Sequence, residues 1–254
     1  MKIFIGRDSD ELGRKAAEFA AKKINAAITE KGEARIVLST GTSQFDTLKY
    51  LAQADIDWNK VTMFHLDEYV GLPETHNASF RKYLKERFVN VVHPGKTFFV
   101  NGEGNVHENI EILTKELRSE PVDVSLVGIG ENAHVAFNDP PADFDTREAY
   151  IVVSLAEKCR RQQVGEGWFK SVDDVPSEAI SMTVWQILQT GTIVSSVPGK
   201  RKAQAIHDLL SSKEITNKIP STKLFDHPEW YLFIDKDAAS MTDPVYLKDR
   251  EKIN

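Results

Sequence analysis

Val122-Asp-Val-Ser-Leu-Val-Gly-Ile-Gly130 is a mostly apolar run that ends in glycines. Such a run suits a strand buried on both faces, the situation of strands in a parallel sheet. Short segments of strand character recur on both sides of it: Lys2–Gly6, Arg35–Ser39, Val61–Leu66, Thr97–Val100, Thr192–Val197 and Trp230–Ile234. Helical periodicity fills the intervals. Asp8 opens the first helix with Glu11 at capping-box spacing. Leu12, Ala16, Phe19, Ala20, Ile24 and Ile28 follow at three- and four-residue steps, up to Gly32. Phe45–Leu51, Ala78–Val89, His107–Leu117, Ser177–Gln189 and Lys200–Leu210 complete the helical set. Strands alternating with helices predict an α/β chain, a mainly parallel sheet with helices on both sides.

No repeat, low-complexity tract or linker divides the 254 residues, so 1–254 reads as one domain. Glu131–Val175 is the exception to the regular pattern. It carries Pro140-Pro141 and Gly165-Glu-Gly167 and reads as irregular. A stretch of that length in a compact domain is usually functional, and about 140–175 is expected to act as a lid.

Composition narrows the function. Hydrophobic types make up 41% and charged types 28%, an ordinary globular balance. The net charge of -6 argues against a nucleic-acid surface, which shows as a basic stripe. An anionic small substrate needs only a few locally placed cations. No apolar stretch approaches the ~20 residues of a membrane helix. The N-terminus meets Lys2, Arg7 and Asp8 too soon for a signal peptide, so a cytoplasmic protein is expected, with no membrane partner. The single cysteine, Cys159, excludes an internal disulfide and a Cys-based metal cluster. It reads as a small space-filling residue. The seven histidines form no His-x-x-x-His pair, so no structural metal is expected.

In open α/β sheets ligands bind beyond the carboxyl ends of the strands. Four segments lie there. Ser39-Thr-Gly-Thr-Ser43 joins a strand to a helix and offers hydroxyls, a glycine and free helical N–H groups, the parts of a phosphate cradle. The same composition also makes an ordinary turn, and no Gly-Lys-Ser/Thr follows to form a P-loop. Asp67 ends an apolar strand, where partial desolvation raises a carboxyl toward the range of a proton acceptor, unless it is a solvated loop acid. His134, after Gly128-Ile-Gly130, has the chemistry of a general acid/base, with Asp139 five residues on to orient it. Arg160-Arg161 and Gly199-Lys-Arg-Lys202 are local cation groups, suited to a phosphate or simply solvated at helix ends.

In this order, these segments resemble the glucosamine-6-phosphate deaminase/isomerase family, across nearly the whole chain. The most specific marks are Phe64-His-Leu-Asp-Glu-Tyr-Val-Gly-Leu72, Gly128-Ile-Gly130 with His134-Val-Ala-Phe-Asn138, and Thr40-Gly-Thr-Ser43. Gly199-Lys-Arg-Lys-Ala203 and His227-Pro228 also fit. The resemblance implies a Rossmann-like three-layer αβα sandwich and a soluble enzyme without an organic cofactor. Family members open a sugar ring, move a proton between C2 and C1, and release ammonia to give fructose 6-phosphate. By motif position Asp67 matches the proton carrier and His134 the ring-opening acid/base. Thr40, Gly41, Thr42 and Ser43 match the phosphate turn, Lys202 the phosphate lysine, and Arg160 or its neighbour Arg161 the phosphate arginine of the lid.

Three departures bear on the chemistry. The family usually reads Asp-Gly-His where this chain has Asn132-Ala133-His134. It usually has Glu where this chain has Asp139, which is one methylene shorter. The segment Arg160-Arg-Gln-Gln-Val-Gly-Glu-Gly-Trp-Phe169 is longer than the usual lid. The substrate implied is a 2-amino-2-deoxyhexose 6-phosphate, glucosamine before galactosamine. Two rival readings are a 6-phosphogluconolactonase-like hydrolase, from a related family, and a non-catalytic sugar-phosphate sensor. The Asp67–Leu72 run favours the deaminase. The partner expected is a small-molecule sugar phosphate; the sequence leaves a homo-oligomer open.

Overall fold

The computed structural model describes residues 1–248 and 251–253. β1 (Lys2–Gly6) runs into α1 (Ser9–Lys31). Asp8 caps that helix by accepting the Glu11 N–H at 2.9 Å. Glu11 reaches back one residue further than a capping box requires, to the Arg7 N–H at 2.8 Å. β2 (Ala34–Leu38), α2 (Phe45–Ala52) and β3 (Val61–His65) follow as the sequence predicts. β4 (Asp67–Tyr69) then leaves the main sheet for a second one. The helix expected at Ala78–Val89 comes in pieces. These are α3 (Phe80–Leu84), a π-turn (Lys85–Val89) and α4 (Asn90–Val92). Of the strand expected at Thr97–Val100, only β5 (Lys96–Thr97) pairs. α5 (Val106–Leu117) and β6 (Val124–Leu126) come next.

The stretch read as irregular is largely ordered. It contains β7 (Tyr150–Ser154) and α6 (Glu157–Gly165). The helix expected at Ser177–Gln189 is instead β8 (Glu178–Met182) followed by the short α7 (Val184–Ile187). Ala179, Ile180, Met182, Val184 and Ile187 are buried in either conformation, and edge pairing on both sides decides for the strand. Thr183 then caps α7, accepting the Gln186 N–H at 3.1 Å. β9 (Thr192–Val197), α8 (Ala203–Ser211), β10 (Trp230–Asp235), α9 (Val245–Lys248) and β11 (Glu251–Lys252) complete the chain.

The main sheet has eight strands in the order β11-β1-β10-β9-β6-β2-β3-β5, and every pairing in it is parallel. Its two faces carry separate cores. Ile36, Leu38, Val194, Tyr231 and Phe233 pack with the small residues of α1 and with Leu48 and Leu51 of α2. Val37, Ile193, Val197, Leu232 and Ile234 point the other way, onto α5, α7 and α8. Successive side chains of a strand alternate between faces, and both faces are covered, so these strands read as continuous apolar runs. The arrangement is the expected three-layer αβα sandwich. A three-stranded antiparallel sheet, β4-β8-β7, is separate from the main one. No helix among the described residues is long and apolar enough to cross a membrane.

Candidate active site

From β2 the chain moves one way to β3 and β5, and β6 then returns to the other side of β2. The crevice between the ends of β2 and β6 is therefore the switch point of the sheet, where open α/β folds bind ligands. A pocket of about 590 Å³ lies there. Ser39–Ser43 line it from β2, Asp67 from β4, Gly128–Gly130 and His134 from β6, and Lys202 from β9.

Two of its walls share one backbone design. Gly41 (φ 95°, ψ 168°) leads into a 3-10 turn, Thr42–Gln44, and then α2. Gly199 (φ 92°, ψ 154°) leads into the 3-10 turn Lys200–Lys202 and then α8. The positive φ is open to glycine at little cost, and the N–H groups that follow are those a helix start leaves without an intrahelical partner. Tyr83 fixes the first turn by donating its hydroxyl to the Gly41 carbonyl at 3.0 Å. Asp235 fixes the second by accepting the Gly199 N–H at 2.9 Å. Lys202 is buried, and burial pulls its pKa down while Glu166 and Glu131 oppose the change. Two helix N-termini and one desolvated ammonium thus share a pocket with Thr40, Thr42 and Ser43, the donors and charge that an anion calls for.

Asp67 is 7% exposed, and its carboxyl, unlike its paired backbone, accepts no hydrogen bond from the described residues. Burial, and then the charge of Glu68, push its pKa up to about 8. The adjacent Glu68 has a different task. It accepts the Ser79 hydroxyl at 2.7 Å and the backbone N–H groups of Phe80 and Arg81 at 3.2 and 3.0 Å. It is thus a buried anion at the start of α3, paired with the Arg81 guanidinium. One carboxyl is fully satisfied and stays put; its neighbour is bare, faces the pocket and titrates near neutrality.

His134 sits where the chain turns off β6. A Cβ on Gly130 would lie 2.2 Å from its Nε2, so only glycine lets the ring lie against this backbone. Ala133 and Ala136 flank the ring at φ 65° and 50°, a conformation non-glycine residues adopt at a cost and which clusters at functional sites. The shorter Asp139 does reach the imidazole, with Nδ1 and Oδ1 2.8 Å apart. Asn132 does not touch the ring. Its amide donates to the same Asp139 oxygen at 2.9 Å, and its carbonyl accepts the His134 backbone N–H at 3.2 Å. Donors to the carboxylate hold the Asp139 pKa down against its burial. Among the described residues, His134, Asp139 and Cys159 are the one grouping of metal-ligand type, with ligand atoms within 4.8 Å of one another. The imidazole and carboxylate of that group are already engaged with each other.

The lid is shut. Helix α6 presents Gln162 and Gln163 to the pocket, and Glu166 follows at its C-cap. Gln163 accepts the Tyr69 hydroxyl at 2.8 Å. Glu166 is held by Gln162 at 2.8 Å and by the Trp168 indole at 3.2 Å. Phe169, Cys159 and Val175 pack with Tyr69, Phe80 and Phe137 beneath. Arg160 is not brought to the phosphate turns. Its guanidinium donates to the Val172 carbonyl at 2.5 Å instead. Arg161 is exposed and paired with Glu157 at 2.5 Å. The reason is helical geometry: Cys159, Gln162, Gln163 and Glu166 share one face of α6, and Arg160 and Arg161 lie around the cylinder from it. Gln162, Gln163 and Glu166 were not legible as pocket residues while their segment read as irregular. Their spacing on a helix is the signal that finds them.

Fold and site together give an αβα sandwich whose switch-point pocket combines Lys202, the Thr40–Ser43 turn and a carboxyl with a raised pKa. The chain belongs to the family of glucosamine-6-phosphate isomerases and 6-phosphogluconolactonases, whose model matches residues 7–231. A glucosamine-6-phosphate deaminase of Thermoanaerobacter pseudethanolicus is 32% identical over 262 residues, covering 100% of both chains. The solved structure of a monomeric glucosamine-6-phosphate deaminase superposes with a TM-score of 0.87 at 30% identity, over 95% of this chain and 100% of that one. A 6-phosphogluconolactonase from Thermotoga maritima shares the fold, with a TM-score of 0.76 at 17% identity over 92% and 99%.

Proposed function

We propose that the protein is an amino-sugar-phosphate deaminase/isomerase. It converts a 2-amino-2-deoxyhexose 6-phosphate, glucosamine 6-phosphate first, to the ketose 6-phosphate and ammonia. The observation that carries the reading is Asp67: a buried carboxyl pushed up to about 8, in one pocket with the anion site. The phosphate docks on the Thr40–Ser43 turn and Lys202. His134, oriented by Asp139, takes the proton of the C1 hydroxyl and returns one to the ring oxygen, giving the open-chain aldehyde. Asp67 as carboxylate then removes the C2 proton while the C2 ammonium gives one of its protons to O1, leaving an enolamine across C1 and C2. The same carboxyl returns the proton to C1. The imine left at C2 adds water and loses ammonia, which leaves the C2 ketone.

A lactonase needs no proton carrier between adjacent carbons, and a sensor needs none at all, so Asp67 favours the deaminase over both. Residues 1–254 act in this reading as one domain with the lid about 140–175 closing over the sugar. A charged sugar phosphate as substrate fits a cytoplasmic setting. The test is a panel of gluco- and galacto-configured amino sugar 6-phosphates, hexose 6-phosphates and 6-phosphogluconolactone, assayed for ammonia, ketose and acid. Ammonia and ketose in equal amounts from one amino sugar phosphate is the expected result. Acid release from the lactone alone would replace the reading with hydrolysis.

A further inference from the structure

The carboxylate that orients His134 is only half satisfied. Asp139 Oδ1 receives both His134 Nδ1 at 2.8 Å and the Asn132 amide at 2.9 Å. Oδ2 is buried and has no hydrogen-bond partner at ordinary geometry, Cys159 included, although the Cys159 thiol is close enough to help hold the Asp139 pKa down. A buried charged oxygen without a donor is disfavoured and invites protonation, which would cost the imidazole its anionic partner. One side chain beside it has a proton to give. Cys159, the single cysteine, is 1% exposed and comes from the lid helix α6. Its sulfur lies within 4.8 Å of the ligand atoms of both Asp139 and His134. Burial and the Asp139 carboxylate both push the thiol pKa up, so sulfur keeps its hydrogen, which turns freely about the Cβ–Sγ bond.

We infer that Cys159 is a positioning residue: from the closed lid its S–H caps Asp139 Oδ2 and keeps the His134–Asp139 pair in its ionised, oriented form. The inference rests on the proposed role of His134 in ring opening. It gives the lid a second task. The face of α6 that brings Gln162 and Gln163 to the substrate also brings the thiol to the acid/base pair, so the pair is complete only when the sugar is enclosed. Nothing about Cys159 in the sequence suggested more than a space-filler; its meaning comes from the orphan oxygen opposite it.

Cys159→Ala and Cys159→Ser are the variants that test this. Alanine and serine leave nearly the same space, so both lose the same packing, and only serine offers a donor. Two readouts are needed. The first is the titration of the His134–Asp139 pair in substrate-free protein, followed by NMR of labelled imidazole and carboxyl groups. The second is the pH–rate profile with a closed-ring amino sugar phosphate. In Cys159→Ala the acid limb of both is expected to move up by roughly half to one pH unit, the size of one ordinary hydrogen bond, since a thiol is a weak donor. The Michaelis constant should hold, because the phosphate contacts are elsewhere. Cys159→Ser should return the limb to within a fraction of that shift. Equal behaviour of the two variants in the NMR titration overturns the inference. Absence of turnover in the wild type would overturn the deaminase reading instead and leave the titration to decide the role of Cys159.

Discussion

Replacing Asp67 with asparagine separates what this residue does for catalysis from what it does to stability, and the two should move in opposite directions. Native Asp67 titrates at about 8, against an ordinary value of 3.8. Between those values the native carboxyl keeps its proton while the unfolded chain has lost it. The native state then binds more protons, so stability falls as pH rises through this window and levels off above pH 8. Each full pH unit of the window is worth about 1.4 kcal/mol and the two ends count for less, so the loss from pH 4 to pH 8 is about 5 kcal/mol. Asparagine is isosteric and does not titrate. Urea unfolding should therefore show Asp67→Asn gaining on the wild type as pH rises, by roughly 1 kcal/mol or less at pH 4.5 and several kcal/mol at pH 8. Turnover should fall about 10²–10⁴-fold, the range for a lost general base. Wild-type kcat/KM should climb with pH toward 8 as the carboxylate forms. A stability difference that is flat from pH 4.5 to 8 would refute the raised pKa. Near-normal ammonia release by purified Asp67→Asn would move the proton transfer to another residue.

Three further outcomes are expected. Lys202→Ala should raise KM for the sugar phosphate by more than it lowers kcat, measured by steady-state ammonia release. Arg160→Ala should leave that KM within about twofold, because its guanidinium serves the Val172 carbonyl and not the anion pocket. Asn132→Asp should slow turnover of a closed-ring substrate and shift the pH optimum, since it sets a second carboxylate 2.9 Å from Asp139 Oδ1 where a donor now stands; a gain in rate would show that the amide is dispensable.

Much of this was readable from the chain. The strands of the main sheet are covered on both faces, so they announce themselves as apolar runs, and the turns that follow them carry the site. Asp67, His134, Lys202 and the Thr40–Ser43 turn meet in one pocket because each follows a strand that ends at the same edge of the sheet. The failures share a cause as well. Ala179–Met182 is buried, and its strand pairs with β4 and β7, partners 112 and 28 residues away on average, so nothing local distinguishes it from a buried helix. Helix α6 is polar on most of its surface, and its buried Cys159 packs with Tyr69, Phe80 and Phe137 of other elements. Its helical phase was hidden with it, and the phase decides that glutamines and a cysteine face inward while the arginines do not.

The two departures at the acid/base pair look independent in the sequence, and geometry joins them. A carboxylate at position 132 would need a partner that tolerates its charge; the amide there instead offers a donor. Asp139, reaching His134 at 2.8 Å, takes that donor on the same oxygen. Shortening the acid by a methylene and replacing its neighbouring carboxylate by an amide thus leave one negative charge, centrally placed, where the longer pattern has two. The imidazole keeps an anionic partner and loses only a more distant one. The expected consequence is a pair change: Asp139→Glu alone crowds Asn132 and lowers activity, whereas Asn132→Asp with Asp139→Glu restores more of it than either single change. A double-mutant cycle on kcat with a closed-ring substrate measures this, and coupling below about 0.5 kcal/mol would mean that the two positions vary without reference to each other.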